Sequence, residues 1–140
     1  MINTHPVANY DGDWSEANRF YPLHRAELAV LAQVVNNAEP RAVVCGDFNV
    51  SRESALFGGF MAATGLADAF GGGCPATFRA EYLPAGATTH CIDFILTAGE
   101  VKAESAGLVF AEKKEPLGYV SDHIGLRARL SLTASTPGRG

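Results

Sequence analysis

The stretch from Ala42 to Asn49, with the sequence AVVCGDFN, decides how the chain can be built. Its first half is a short apolar run with two β-branched valines, which predicts a buried strand because the run is too short for a buried helix. Gly46 interrupts the run, and the hydrogen-bonding side chains of Asp47 and Asn49 follow. Residues two apart in an extended chain share a face, so a carboxylate and an amide are expected to project together, with Phe48 pointing into the core.

Two interpretations of this strand end stay open when it is considered alone. In the first, Asp47 and Asn49 hold a water or a phosphate oxygen between them, since an ionised carboxylate accepts hydrogen bonds and an amide both donates and accepts them. In the second, the two side chains only cap their own backbone in an Asx turn. The rest of the sequence is needed to separate the two.

Composition limits the class of protein. A chain of 140 residues with 47% hydrophobic content suits one domain, or part of a larger one. The net charge of −4 provides no broad positive surface for nucleic acid or an anionic membrane, although a bound metal can supply positive charge locally. The cysteines, Cys45, Cys74 and Cys91, lack metal-binding spacing and are expected to be reduced residues in or near the core.

Membrane and export signals are not visible in the sequence. No apolar run approaches the ~20 residues that a transmembrane helix needs, and the segment that begins at Met1 has no basic region followed by an apolar one. We therefore expect a cytoplasmic protein or one that contacts a membrane peripherally.

Hydrophobic periodicity predicts two helices and several strands. Residues 1–132 are expected to form one domain, followed by a small, polar tail over 133–140 that is expected to be disordered. A long irregular stretch precedes His90, and a loop of that length in a compact domain is usually functional. The predicted elements are a strand over Ile2–His5, a helix over Pro22–Asn36, a helix over Arg52–Thr64 with Ser51 as its N-cap and Gly65 at its end, and strands over Cys91–Leu96, Val101–Phe110 and Ile124–Leu132.

Polar side chains stand where the predicted strands begin or end, and such groups tend to gather at one edge of a sheet. Carboxylates, an amide and imidazoles are a poor set for structural zinc but a good one for a hard cation such as Mg²⁺. The imidazoles would transfer protons near neutral pH. No residue resembles a covalent nucleophile beside a base, so attack by metal-assisted water is the simpler mechanism. The set is His5, Asp47, Asn49, Asp93, Asp122 and His123.

Asp93 interrupts an apolar run, where a carboxylate is costly unless it is paired. An Asp next to a His fixes the tautomer of the ring and favours the imidazolium, which makes His123 the candidate partner. The alternative is that Asp93 lies on a solvated face of its strand.

Three motifs, in this order and spacing, resemble those of the endonuclease/exonuclease/phosphatase superfamily: GDFN at 46–49, IDFIL at 92–96 and SDH at 121–123. The segment NTH at 3–5 matches the strand end that precedes them in that superfamily. Within the superfamily, the loop at Tyr10 and Asp11, followed by Tyr21 and the pair His24–Arg25, is most similar to the neutral sphingomyelinases.

The resemblance implies an α/β fold, namely the C-terminal half of a four-layer α-β-β-α sandwich of the DNase I-like type, with a mixed, mostly antiparallel sheet flanked by helices. It also implies phosphodiester hydrolysis that depends on Mg²⁺ or Mn²⁺. The roles it implies are that Asp47 orients or activates the attacking water and contacts the metal, Asn49 helps to hold the phosphate, Asp93 supports His123, Asp122 contacts the metal, and His5 stabilises the phosphate or assists the leaving group.

Members of the superfamily carry a further half before the strand that ends at His5, with a Glu and an Asn for the principal metal. Nothing precedes Met1 in this sequence. The resemblance therefore implies that the chain is the C-terminal half of such an enzyme, with weak metal binding and low turnover on its own.

Three functions follow as hypotheses. The first is a phospholipid phosphodiesterase that releases a head group of the sphingomyelin type, with peripheral membrane contact and no obligate protein partner. The second is a nuclease of the same superfamily, which is less favoured because the basic residues form only a thin positive surface. The third is a truncated, inactive module that serves as a binding protein or has no function.

Overall fold

The computed structural model describes residues 1–38 and 40–133. Within them the chain alternates between strands and helices, and the mixed α/β class expected for the sequence is confirmed. The elements are β1 (Ile2–Thr4), α1 (Tyr21–Asn36), β2 (Val43–Asp47), α2 (Ala55–Thr64), β3 (Ala67–Asp68), β4 (Asp93–Thr97), β5 (Val101–Val109) and β6 (Gly125–Leu132).

The strands form a four-stranded sheet and a two-stranded hairpin. The sheet has the order β1-β2-β4-β3, in which β1 is parallel to β2 while β4 is antiparallel to both β2 and β3. The hairpin pairs β5 with β6 in an antiparallel manner, with an irregularity between Ala103 and Ser105. The sheets are therefore mostly antiparallel, as expected.

The hydrophobic core lies between one face of the four-stranded sheet and the two helices. Alternation along β2 and β4 turns Val44, Phe94 and Leu96 toward the helices, and all three are buried. Phe48 is fully buried, and its ring makes edge-to-face contacts with Phe57, Phe60 and Phe94. The prediction that Phe48 points into the core is confirmed, and this cluster anchors the chain directly after β2.

Helix α2 begins three residues later than predicted, and Ser51 is not its N-cap. The backbone of Ser54 is extended, and the Ser54 hydroxyl accepts a hydrogen bond from the Phe57 amide at 3.2 Å. The Ser51 hydroxyl instead donates to the Glu53 carboxylate at 2.5 Å, within a turn that Ser54 closes through its amide. Gly65, in a left-handed conformation, ends the helix as predicted.

Replacing Ser54 with alanine is expected to destabilise the fold by about 1 kcal/mol, the usual effect of losing an N-cap hydroxyl. Urea unfolding followed by circular dichroism would measure the change. Ser105→Ala, at an exposed position on β5, serves as the matched control and should leave the midpoint unchanged. An equal loss in the two variants would contradict the assignment of Ser54 as the cap.

Strand β4 also begins later than predicted, at Asp93 instead of Cys91. Cys91 and Ile92, which precede the strand, form hydrogen bonds with residues outside the sheet. The Ile92 amide donates to the Thr77 hydroxyl, and the Cys91 carbonyl accepts from the Arg52 amide. The strand pairing therefore starts at Asp93, directly opposite β2.

The predicted tail over 133–140 begins with an ordered residue, because the Thr133 amide donates to the Glu100 carbonyl at 2.8 Å. The remainder of that tail, residues 134–140, lies outside the described residues. None of the helices in the described part of the chain is long and apolar enough to cross a membrane.

Candidate active site

Strand pairing brings two carboxylates together. Asp47 is the last residue of β2 and Asp93 the first residue of β4, and the antiparallel register places them directly opposite each other. Both side chains project from the face of the sheet opposite the helices, since Phe94 and Val44 take the helical face. His5 follows β1, whose parallel pairing with β2 aligns Thr4 with Gly46 and so places His5 beside Asp47.

Gly46 permits the close approach of β1 and β2. Its φ of +140° is a conformation that residues with a side chain rarely adopt, and a Cβ at this position would lie 2.0 Å from the Thr4 carbonyl oxygen. Only glycine can therefore bring the end of β1 this close to Asp47.

The imidazole of His123 lies between the two carboxylates. Its Nδ1 is 2.8 Å from Oδ2 of Asp93, and its Nε2 is 3.7 Å from Oδ2 of Asp47. Nε2 of His5 lies 3.6 Å from the same Asp47 oxygen. The side chains of Asp47, Asp93 and His123 are between 18% and 24% exposed, whereas that of His5 is 74% exposed. The three partly buried groups thus form a compact cluster with His5 at its solvent side.

Burial and neighbouring charge shift the proton equilibria of this cluster. Burial raises the pKa of Asp47, and the nearby charge of Asp93 adds to the increase, although the hydrogen bond at 2.7 Å from the Asn49 amide opposes it. The hydrogen bond to Asp93 raises the pKa of His123 and outweighs the opposing effect of burial. The imidazole therefore stays protonated to a higher pH than a free histidine.

A titration of His123 followed by nuclear magnetic resonance, with chelator present to remove metal ions, is expected to give a pKa above the ordinary histidine value. The Asp93→Asn substitution should lower this pKa. Because the folded pKa is raised, this interaction contributes its full stability below the unfolded pKa of ~6.5 and loses it as pH rises through the folded value. Glu104→Gln, at an exposed position on β5, is the matched control and should leave the pKa of His123 unchanged. A His123 pKa that Asp93→Asn leaves unchanged would contradict the pairing.

Asn49 does not lie in an extended chain, so the prediction that it shares a face with Asp47 is wrong. The strand ends at Asp47, whose carboxylate accepts from the Asn49 amide in an Asx turn, and Asn49 takes a φ of +50°. Its buried side chain donates to the Pro6 carbonyl at 2.9 Å, and its own carbonyl accepts from the Trp14 indole at 2.9 Å. Asn49 therefore ties the ends of β1 and β2 and the Trp14 loop together.

Asp122 is exposed and lies outside the cluster of Asp47, Asp93 and His123. One of its carboxylate oxygens accepts from the Ser121 hydroxyl at 3.3 Å, and its carbonyl accepts from the Arg79 amide at 2.9 Å. The structure thus brings together five of the six predicted residues, with Asn49 in contact through its backbone amide. The sixth, Asp122, is not part of the cluster of Asp47, Asp93 and His123.

The donor set of the cluster fits a divalent cation. One ligand atom each from Asp47, Asp93 and His123 falls within 4.8 Å of the others. Two carboxylates suit a hard ion such as Mg²⁺, which binds proteins through one or two carboxylates and completes its shell with water and substrate oxygens. The cluster opens into a cavity of about 380 Å³ that is also lined by Phe110, Ser121 and Leu126, among others, which leaves room for such ligands.

A segment that joins these groups, Thr77–Arg79, contains none of the residues that the sequence predicted for the site. Thr77, Phe78 and Arg79 contact the backbone or side chains of the Asp93 and His123 segments. The only available signal was their place in an irregular stretch too long to be a simple connection.

Several solved structures share this fold. The D. rerio TDP2 structure complexed with a single-stranded DNA product aligns with a TM-score of 0.64 and 22% identity, covering 84% of this chain and 52% of that chain. An endonuclease/exonuclease/phosphatase from Bacteroides vulgatus aligns with a TM-score of 0.62 and 27% identity, covering 79% of this chain and 44% of that one. Beta toxin 275–280 from Staphylococcus aureus aligns with a TM-score of 0.62 and 17% identity, covering 91% and 50%.

The chain spans about half the length of these solved structures. No curated protein matches it by sequence. The sequence model of the Endonuclease/Exonuclease/phosphatase family matches residues 6–123, which contain all three clustered side chains and most of the described fold. On this match, together with the fold and the paired motifs, the chain belongs to the Endonuclease/Exonuclease/phosphatase family.

Proposed function

We propose that the chain carries the acid–base residues of a phosphodiester hydrolase that depends on Mg²⁺ or Mn²⁺. The observation that supports this most directly is the placement of His123 between two register-paired carboxylates, at 2.8 Å from Asp93 and 3.7 Å from Asp47. Membership of the family and the open cavity beside the cluster are consistent with it.

We assign each side chain a step on the basis of this geometry. Asp93 holds the Nδ1–H of His123, so that Nε2 can donate to a phosphoryl oxygen and stabilise the charge that develops there. Asp47, whose pKa is raised by burial, orients the attacking water and accepts its proton. The oxygen of water bonds to phosphorus as the bond to the leaving oxygen breaks, and that oxygen takes a proton from exposed His5.

The metal would be held by Asp47, with Asp93 at the other side of the same cluster. When bound, a divalent ion supplies positive charge for the phosphate and lowers the pKa of a bound water. Asp122 stays a proposed ligand of this ion or of a second one. Asn49 stays a proposed phosphate contact. Its Nδ2 group carries two N–H donors, and the one that does not donate to the Pro6 carbonyl is the candidate.

For the substrate, we propose a phospholipid head group of the sphingomyelin type, reached by peripheral contact with a membrane. The resemblance of the Tyr10–Asp11 loop and the following helix to neutral sphingomyelinases supports this choice. Exposed aromatic side chains, Tyr10 at 86% and Tyr82 at 52%, add surfaces suited to an interface between water and lipid.

A nuclease of the same family is the second candidate. The observation in its favour is that the D. rerio TDP2 structure, which shares the fold, contains a single-stranded DNA product. The net charge of −4 argues against a broad electrostatic contact with nucleic acid.

The test incubates the full chain with Mg²⁺ or Mn²⁺ and three diesters: bis(p-nitrophenyl) phosphate, sphingomyelin vesicles and a single-stranded oligodeoxynucleotide. We expect metal-dependent hydrolysis that chelator abolishes, and faster hydrolysis of sphingomyelin than of DNA. Faster hydrolysis of DNA would replace the lipid proposal with the nuclease. Hydrolysis of none of the three, together with no Mn²⁺ broadening of the His123 resonances, would contradict the hydrolase and favour an inactive module.

A further inference from the structure

We infer that Thr77 is a positioning residue that holds Asp93 and His123 in contact, an inference that rests on the proposed hydrolase function. Thr77 lies in the irregular stretch between β3 and β4 and is fully buried. Thr77 does not itself line the cavity but bonds to Asp93 and Ile124, which do, so its effect on the reaction would be indirect.

One set of hydrogen bonds joins Thr77 to the start of β4. Its hydroxyl oxygen accepts from the Ile92 amide at 3.0 Å and from the Asp93 amide at 3.2 Å. Its own amide donates to the His90 carbonyl at 3.0 Å. These bonds fix the backbone that carries the Asp93 carboxylate, and they give the amides of Ile92 and Asp93 a hydrogen-bond acceptor.

A second set joins the same residue to the His123 segment. The Thr77 carbonyl accepts from the Ile124 amide at 2.7 Å, and the neighbouring Phe78 pairs with His123 in an isolated antiparallel bridge. The rings of Phe78 and His123 pack edge to face, with centroids 5.0 Å apart. A single residue thus fixes both halves of the Asp93–His123 pair, which are 30 positions apart in the sequence.

Arg79 extends this connection to the loop before His123. Only 5% exposed, its guanidinium donates to the carbonyls of Ser121 at 2.8 Å, Ala111 at 3.0 Å and Phe110. Its amide donates to the Asp122 carbonyl at 2.9 Å. The loop is therefore tied to the residue two places after Thr77, which limits how far His123 can move from Asp93.

Loss of the Thr77 hydroxyl would leave the buried Ile92 amide and the partly buried Asp93 amide without this acceptor, and the backbone at Asp93 would shift to find another. A displacement of ~1 Å at a reacting group can lower a rate by about 100-fold even when the substrate still binds. The hydroxyl should therefore affect kcat and the Asp93–His123 hydrogen bond more than it affects substrate binding.

The experiment compares Thr77→Val, which has nearly the same shape but no acceptor, with Thr77→Ser, which keeps the hydroxyl. Thr97→Val is the matched control, because Thr97 is also buried and lies at the opposite end of β4 from Asp93. With bis(p-nitrophenyl) phosphate and Mg²⁺, Thr77→Val should lower kcat by roughly 10- to 100-fold with KM unchanged. Thr77→Ser should restore most of the rate.

A second readout does not depend on turnover. The ring N–H proton shared by His123 and Asp93 should give a downfield proton resonance in the wild type, in Thr77→Ser and in Thr97→Val, and it should broaden in Thr77→Val. In wild-type protein, the amides of Ile92, Asp93 and Ile124 should exchange slowly with solvent, a measurement that stands even if Thr77→Val does not fold.

The outcomes separate the two proposals. A resonance that responds to Thr77→Val in a chain without hydrolase activity supports the positioning role and contradicts the function. Wild-type activity with kcat and resonance unchanged in Thr77→Val overturns the positioning role and leaves the function in place. Rapid exchange of the three amides in the wild type also overturns it.

Discussion

Replacing Asp93 with asparagine is expected to lower kcat for phosphodiester hydrolysis by about 10³- to 10⁴-fold, the effect of replacing the carboxylate that orients a catalytic histidine with an amide. Asparagine keeps the size of the side chain but loses the negative charge that accepts from Nδ1 of His123 at 2.8 Å. The imidazolium then loses the interaction that raises its pKa. The neutral ring can also adopt the tautomer that has no proton on Nε2.

Initial rates with bis(p-nitrophenyl) phosphate and Mg²⁺ would measure this loss, with circular dichroism to show that the fold is retained. Glu104→Gln is the matched control, because Glu104 is an exposed carboxylate on β5. It should behave as wild type. A kcat for Asp93→Asn equal to that of the control would remove Asp93 from the catalytic machinery.

Replacing Gly46 with alanine is expected to have the largest effect on stability. The added methyl would lie 2.0 Å from the Thr4 carbonyl oxygen, which is backbone and cannot turn aside. Overpacking costs about 1–3 kcal/mol, and a residue with a side chain at a φ of +140° adds about 1–3 kcal/mol of strain. Because a native domain is stable by only about 5–15 kcal/mol, the variant should lose much of its folded population.

Urea unfolding and the yield of folded protein would measure the loss. Gly58→Ala is the matched control, since Gly58 lies within α2 with nothing within 4 Å of the added Cβ. That change should stabilise the helix by about 0.5–1 kcal/mol. Equal behaviour of the two variants would mean that β1 and β2 are not as close as described.

The sequence was informative where an apolar strand meets a single polar residue. Asp93 could be identified as a paired carboxylate because an ionised group within the run CIDFIL has few other stable environments. The run AVVCG likewise predicted β2, and the periodic leucines predicted α1 to within one residue of its observed start.

The sequence was less informative where several local hydrogen-bonding arrangements of the backbone are possible. Ser51 and Ser54 are equally good caps by composition, and only the turn between them decides that Ser54 is used. Asn49 was placed on the wrong face because an Asx turn costs little and a two-residue pattern cannot exclude it. Thr77 was missed because its partners are backbone amides far along the chain, which leave no periodic pattern.

The direct opposition of Asp47 and Asp93 has a consequence for how the sheet assembles. If β4 slipped by a single position against β2, every side chain of β4 would exchange faces, and the charge of Asp93 would enter the phenylalanine cluster while Phe94 emerged into water. Burying an unpaired ion costs several kcal/mol, so the misaligned pairing is disfavoured by the same residue that the chemistry needs. Replacing Asp93 with asparagine, which removes the charge, would therefore also make incorrect strand alignment easier.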